Sequence, residues 1–436
     1  MSSNPPKNII IIGASLTGLL HALSLLHLPH PDPPSITLLE STPTTPRLSH
    51  MAGIGLASHI VTFLSRHLRT NDGVAGLGIE SHCLQTMDMR GRTRLLLRAE
   101  RVLSCWEGVE GMLRGGFLRD ADKGGQGRGR LEMGWRVVGV EVLEGEGKGV
   151  RVRARRTDTA EGERGGEERV LEADMVIGAD GHNSIVRNTF MTGAEKVVPE
   201  YAGYVAWRGV VPESAVSEET RRAFQHNVTY FLLEGRREHV IVYHIPGPST
   251  SLTPGTRSLN FCWYANIPAS ALPSLTTDTS GYTHHTTVPS GLVPATTWSL
   301  HSTSIHPLLP APFAEVLSHI HHPFLQVIRD YHTPRAAFAD GRVLLVGDAR
   351  TLLRPHIAFS TNQAAFDVGG VERVVKGEVG WREWERESVG FSRLHWRRSR
   401  WFGEWFQRSG WLSWWAGGLY WWEVGMDGLR RRGWWW

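Results

Sequence analysis

The run Ile9 to Leu28, IIIIGASLTGLLHALSLLHL, constrains the chain most. Its length is close to that of a membrane span, yet Gly13, Ser15, Thr17, Gly18 and His21 interrupt it. Its character also changes midway. Ile9 to Ile12 are β-branched, as in a strand buried on both faces, and Leu16 to Leu28 repeat at helical spacing. A strand, a glycine turn and a helix therefore fit better than a span. A secretory leader fits poorly, because only Lys7 precedes the apolar run and no small-residue cleavage site follows it.

The turn Gly13-Ala-Ser-Leu-Thr-Gly18 matches GxGxxG except that Ser15 takes the place of the middle glycine. Gly13 permits the sharp turn, and a small residue at 15 lets backbone approach a pyrophosphate. Gly18 lets helix and strand pack closely, so that the amides of Leu16 and Thr17 face the anion. A second strand, Ile36-Thr-Leu-Leu-Glu40, ends in an acid where a dinucleotide fold needs one to hold an adenosine ribose, with Ser41 next to it. Gly13-Ala-Ser15 also resembles a hydrolase nucleophile elbow. Thr17 stands where that elbow needs glycine, and the elbow would lie on the very first strand, so this reading is set aside.

Length and composition bound the rest. The 436 residues suit two or three domains, and 41% hydrophobic content excludes global disorder. Cys83, Cys105 and Cys262 show no CxxC spacing, which argues against a disulfide scaffold or a zinc ribbon and for a reducing, cytoplasmic setting. A net charge of +4 comes from interspersed signs, so nucleic acid is not an expected partner. His319-Ile-His-His322 has no acid or cysteine at ligand spacing. A solvated helix end is expected there, and no metal.

Further along, Val150 to Arg155 alternates strictly, and Trp135 to Val176 reads as a small β-meander with polar loops at 124–130, 144–149 and 157–169. A buried strand at Met175 to Ile177 then runs into Gly178-Ala-Asp180-Gly181 and a helix with Ser184 in its first turn. A carboxylate at such a strand end suits a ribose or a phosphate-bridging water; it is equally a plain helix-start residue. The pattern recurs at Arg342-Val-Leu-Leu-Val-Gly347-Asp348-Ala349, followed by Arg354-Pro355-His356 and a helix from about Ser360 that includes Thr361. Between them, Gly203–Gly209, Glu238–Ile245 and Leu259–Ala265 read as three strands of one sheet, with a mixed aromatic and polar face fit to floor a ring-binding pocket. After residue 380 the chain holds 13 of its 18 Trp, among basic clusters. Trp with Arg on a helix suits a membrane interface, although G-rich codons account for the same composition, which is the reading preferred here.

A βαβ nucleotide loop, a GADGxxSxVR stretch and a late GDA followed by proline, in this order, resemble the single-component FAD-dependent aromatic hydroxylases of the para-hydroxybenzoate and salicylate hydroxylase superfamily. GASLTGL at the first turn, YAGYVAWRGVVPE at Tyr201–Glu213, PFLQVIRD at Pro323–Asp330 and the RPH at 354–356 are similar to the 2,6-dihydroxypyridine 3-monooxygenase branch. The resemblance implies an α/β fold: a Rossmann-like FAD-binding domain of three ββα layers (1–190 and 340–375), an inserted β-sheet substrate domain (191–339) and a helical Trp/Arg-rich tail (376–436). It implies bound FAD, with Gly13, Ser15, Leu16, Thr17 and Gly18 on the pyrophosphate and Glu40 and Ser41 at the adenosine ribose. Asp180 and Gly181 would lie near the pyrophosphate and a transient NAD(P)H groove. Gly347 and Asp348 would meet the ribityl chain, and Pro355, Ser360 and Thr361 the isoalloxazine. The implied reaction hydroxylates an electron-rich aromatic or N-heteroaromatic ring with NAD(P)H and O2, through a flavin hydroperoxide.

Tyr204, Arg208, Tyr243, His244 and His356 are the expected substrate contacts, with Arg208 opposite an anionic group and His356 titrating in the range suited to proton traffic. A homodimer is compatible with all of this. The chain also departs from the pattern: Arg350 and Thr351 follow Ala349, and Phe359-Ser360 replaces a smaller pair. Arg350 and Ser360 beside the ring motivate the alternative, an FAD-binding oxidoreductase or degenerate flavoprotein without monooxygenase activity.

Overall fold

The computed structural model describes residues 5–29, 33–43, 52–68, 76–121, 128–145, 149–157, 166–408 and 411–431. Most of the loop expected at 157–169, parts of those at 124–130 and 144–149, and the final Trp434-Trp-Trp436 lie outside the described residues.

The first sheet runs in the order Ala337–Phe338, Val343–Leu345, Met175–Gly178, Asn8–Ile12, Ser35–Glu40, Gly129–Met133. All its pairings are parallel except that of the edge strand Ala337–Phe338. Its strands are apolar on both faces because both are covered. Ile9 and Ile11 pack under the helices Leu16–Leu26, Trp106–Ala121 and Ser360–Val375. Ile10 and Ile12 pack on an antiparallel sheet of Trp135–Val142, Val150–Arg156 and Glu168–Ala173, the meander expected from its alternation. These are the three ββα layers.

The second sheet, of ten strands, places Glu200–Pro212, Ser258–Asn266 and Glu238–Ile245 side by side, antiparallel, as the sequence suggests. Asn227–Leu233 follows, and then three strands from much earlier in the chain: Ile79–Met87, Thr93–Cys105 and Gly53–Leu56. The two sheets are thus interleaved more finely than a division at residue 190. One face of the large sheet buries Val205, Trp207, Phe261 and Trp263 against Phe313, Val316 and Leu317 of the helix Ala311–Ser318. The other face carries Tyr204, Ala206, Ile241, Cys262 and Tyr264.

The tail is helical, Trp381–Gln407 then Trp411–Arg431, but its first helix is no appendage. Trp384 is fully buried, Ser388 donates to Asp367 (2.7 Å), Trp396 donates to Asp330 (2.8 Å) and Glu404 accepts from Arg354 (2.8 Å). The second helix packs on the first through Arg393–Glu423 (2.9 Å) and Trp401 stacked on Tyr420, and leaves Trp411, Trp414, Trp415, Trp421 and Trp422 exposed. Among the described residues no helix is long and apolar enough to cross a membrane.

Many histidines are buried neutral. Burial holds His239, His332 and His395 at about 3. The unfolded chain, with ordinary histidines, binds more protons below about pH 6.5, so folded stability is complete above that value and lost as the pH falls towards the folded pKa values. We expect the urea midpoint to drop by the equivalent of several kcal/mol between about pH 7 and about pH 5. A midpoint flat across that window would contradict this burial.

Candidate active site

Three turns meet at the carboxyl edge of the parallel sheet. Gly13 has φ +99°, and a Cβ there would lie 2.5 Å from the Ala179 carbonyl oxygen. Gly347 has φ +55°, and its Cβ would meet Thr17 Oγ1 at 2.5 Å. Backbone bonds link the same turns: Gly13 N–H to Leu39 O (2.8 Å), Ala179 N–H to Ile12 O (2.9 Å) and Val346 N–H to Gly178 O (3.1 Å). Residues 13–18, 178–181 and 347–348 therefore form one edge, where open α/β sheets bind ligands. Ser15 is the N-cap of the helix Leu16–Leu26, exposed and with no capping side-chain bond, so the first amides of that helix have no side-chain partner. A cradle built of glycines that no Cβ would fit suits a pyrophosphate.

The acids around this edge are partly engaged. Glu40 accepts from Ala14 N–H (2.9 Å), Thr42 N–H (2.7 Å) and Ser41 Oγ (3.3 Å), which fixes the loop and leaves acceptor capacity for a ribose hydroxyl. Asp180 Oδ2 accepts from Ile185 N–H (2.7 Å) and Val186 N–H (3.3 Å), as a helix-start residue does. Its Oδ1 is buried without a partner, and burial pushes its carboxyl up. Gly181 (φ +69°) leaves open space where a Cβ would stand. Burial pushes the Asp348 carboxyl up to about 6.

Next to this edge a cavity of about 250 Å³ opens on the large sheet. Arg208, Tyr230, Tyr243, Cys262 and Tyr264 floor it, and Pro355, His356, Phe359, Ser360 and Thr361 close the side towards the dinucleotide edge. The large sheet curls so far that Gly53, at its end, touches Tyr243 and Asn260: a Cβ at Gly53 would be 2.5 Å from Tyr243 Oη. Asn260 Oδ1 accepts from Gly53 N–H at 3.0 Å and holds that closure. Thr361 Oγ1 donates to Gly55 O (2.9 Å), tying the helix Ser360–Val375 to the same strand.

The strand period of two separates the expected substrate contacts. Arg208 and Tyr243 line the cavity. His244 points through the sheet, bonded to Phe224 O (3.1 Å) and close to Glu213 (3.4 Å); neighbours on one strand cannot face the same side. Tyr204 is buried behind the lining, its hydroxyl 2.7 Å from His356 Nε2. His356 does line the cavity, but burial, with His239, Arg354 and Arg208 nearby, holds it well below the usual histidine range. It is a neutral imidazole near pH 7 and not the titrating group expected.

Arg350 is also corrected. It is wholly buried, bonded to Asp367 (2.9 Å and 3.0 Å), and is not in the lining of this cavity. Asp367 also accepts from Gly347 N–H (3.0 Å), so the arginine braces the GDA turn from behind. Residues not anticipated are Arg101, Tyr230 and Tyr264 in the lining, and Arg354, whose guanidinium joins Asp330 (2.6 Å) and Glu404 (2.8 Å) directly before the cavity loop.

Comparison with known proteins agrees with this geometry. A family model described as FAD binding domain-like matches residues 201–330. A stretch of 198 residues is 38% identical to 2,6-dihydroxypyridine 3-monooxygenase of Paenarthrobacter nicotinovorans, covering 45% of this chain and 47% of that protein. The match thus spans about half the length of that curated relative. The structure of 2,6-dihydroxypyridine-3-hydroxylase from Arthrobacter nicotinovorans superposes with a TM-score of 0.76 at 25% identity, covering 93% of this chain and 94% of that one. Klebsiella pneumoniae HpxO, solved with FAD and uric acid, shares the fold at a TM-score of 0.64 and 19% identity over 92% of this chain and 88% of its own. In fold over nearly its whole length, and in sequence over 45% of it, this chain is similar to 2,6-dihydroxypyridine hydroxylases.

Proposed function

We infer that this chain is an FAD-dependent monooxygenase that uses NAD(P)H and O2 to hydroxylate an electron-rich aromatic or heteroaromatic ring. The observation that carries the reading is the junction itself: one helix joins a glycine-built anion cradle at a parallel-sheet edge, through Asp367 on Gly347, to a cavity lined by three tyrosines and two arginines, through Ser360 and Thr361. Gly13, Ser15, Gly18 and the amides of Leu16 and Thr17 would hold the pyrophosphate, Glu40 and Ser41 the adenosine ribose, and Gly347 and Asp348 the chain leading to the ring system, with Asp180 and Gly181 alongside. Pro355, Ser360 and Thr361 would border the isoalloxazine. Bound there, FAD would supply oxygen activation, which no amino-acid side chain provides.

The protein's own part is positioning and exclusion of water. Arg208 offers a buried cation to an anionic substituent. Burial keeps Tyr204 protonated above its ordinary range, and its hydroxyl shares a 2.7 Å hydrogen bond with His356 Nε2. That bond holds the His356 ring at the cavity wall, where it is the candidate contact for a ring oxygen. The amides at the start of the helix Ser360–Val375 favour negative charge next to them. With Arg350 committed to Asp367, one of the two residues that motivated a non-oxygenating flavoprotein no longer argues for one; the other, Ser360, lines the cavity.

Purified protein should be yellow, and NAD(P)H oxidation should accelerate at least tenfold with a suitable hydroxylated ring, giving oxygenated product. Flavin-loaded protein whose NAD(P)H oxidation ignores every ring tried, or yields only peroxide, would favour the oxidoreductase alternative. We expect His356→Gln to raise KM by about tenfold, the loss of one hydrogen bond to a charged or ionising group. Equal kinetics would remove His356 from the site.

A further inference from the structure

The cavity holds more positive charge than its neighbours balance. Two guanidiniums line it, Arg208 on the strand Glu200–Pro212 and Arg101 on Thr93–Cys105, and no Asp or Glu is among the described residues of the lining. Arg208 is only 9% exposed. Its Nε is buried without a partner, and neither arginine hydrogen-bonds or ion-pairs with any described residue. Among the other buried arginines, Arg350 pairs with Asp367, Arg354 with Asp330 and Glu404, and Arg257 with Glu213, while Arg187 donates to Tyr331 and to the Ala349 and His182 carbonyls. An unpaired guanidinium out of water is costly, and the cost is removed only when an anion arrives.

The two arginines belong to different walls. Along the sheet their strands are separated by four others. The curl that brings Gly53 against Tyr243 sets them in one lining, and both act on the phenol of Tyr243. Arg101 lies on the loop side, its Cδ 3.9 Å from a Cβ built at Gly55, the glycine that also meets Ala358.

We propose, resting on the oxygenase reading of this cavity, that its substrate is a ring bearing two carboxylate-strength acidic groups, one held by Arg208 on the sheet floor and the other by Arg101 at the opposite wall. Arg101 is then a specificity-determining residue. It adds a second charge-assisted contact to the first, one that rings carrying a single acid do not make.

The test is equilibrium binding to the flavin-loaded protein, read from the flavin spectrum. The probes are the ring-positional isomers of hydroxybenzenedicarboxylate, the corresponding hydroxybenzoates and the hydroxybenzamides. At least one dicarboxylate should bind ten or more times tighter than the best monocarboxylate, and the amides weakest of all. Arg101→Gln should bring that dicarboxylate down to monocarboxylate affinity while leaving the monocarboxylates within about twofold. Arg208→Lys should weaken both acid classes. Monocarboxylates binding as tightly as every dicarboxylate, or Arg101→Gln leaving the dicarboxylate unchanged, would overturn the proposal. The ligand series on the unaltered protein decides the matter even if a variant fails to fold. The two readings fail separately. Neutral rings that stimulate NAD(P)H oxidation as well as acids do would sink this inference and leave the oxygenase. Tight dicarboxylate binding with no ring-dependent oxidation would do the reverse.

Discussion

Gly13→Ala should give a folded protein that purifies without flavin, with FAD affinity reduced at least about 100-fold, or about 2.7 kcal/mol. Two effects add at this position. The backbone at φ +99° is one that side chains rarely adopt, and the new Cβ would press on the Ala179 carbonyl at 2.5 Å. Relief requires the first turn to move away from the 178–181 turn, which spreads the edge that the pyrophosphate would bridge. Gly193→Ala is the control. It has φ +59° but open space around its Cβ, far from the edge, so it carries strain without blocking the cradle. Its expected cost is about 1 kcal/mol of stability with FAD affinity unchanged. Calorimetric FAD titration beside circular dichroism separates the two. Equal FAD affinity in the Gly13 variant and the parent would detach the glycine turn from the cofactor.

Arg354→Met should cost about 3–5 kcal/mol of unfolding free energy, read as a shift in denaturant midpoint. The guanidinium bridges Asp330 and Glu404, both largely buried, while the backbone N–H of Arg354 donates to Ser399 Oγ at 3.2 Å. Methionine fills similar volume but leaves two carboxylates facing each other in the interior. Asp330 belongs to the large sheet, Glu404 to the helix Trp381–Gln407, and Arg354 begins the loop that lines the cavity. The loss should therefore also loosen His356, raising KM for the ring. Adding Asp330→Asn and Glu404→Gln to the Arg354 variant should recover much of the stability, because the charges left behind, not the missing contact, set the cost. A single variant as stable as the parent would show that the triad does not hold the helix to the sheet.

The parts of this molecule that local rules govern were legible in its sequence. Four β-branched residues ahead of GASLTG, and an acid at the end of the next strand, anticipate both the parallel sheet and its ligand edge. Strict alternation in Val150–Arg155 anticipates the meander. The same rule, applied to Tyr243 and His244 together, would have shown that only one of them can face the cavity. Other features depend on partners distant in sequence. Arg350 looked like an intrusion because Asp367, which neutralises it, lies on the next helix and is recognisable only once that helix packs back. Arg101 reaches the site because the large sheet curls, a property of many strands together. His356 has the residue type of a proton carrier, but its environment of His239, Tyr264 and Phe406 rings removes the charge. The helix Trp381–Gln407 did leave a signal beneath its unusual composition: Trp384, Ser388, Ser392, Ser399 and Gly403 recur at helical spacing, and all are buried. Small residues on one stripe allow that helix to lie close against the helix Ser360–Val375 and the cavity loop.

The account rests on one dinucleotide joining the glycine edge to the aromatic cavity. A crystal structure of the protein with FAD tests this most directly. It should show the pyrophosphate against Gly13–Gly18, the adenosine ribose at Glu40, the opposite half of the molecule passing Asp348, and the flavin ring at the cavity rim beside residues 355–361. FAD seated away from any one of these four places, or an empty edge at saturating FAD, would contradict it.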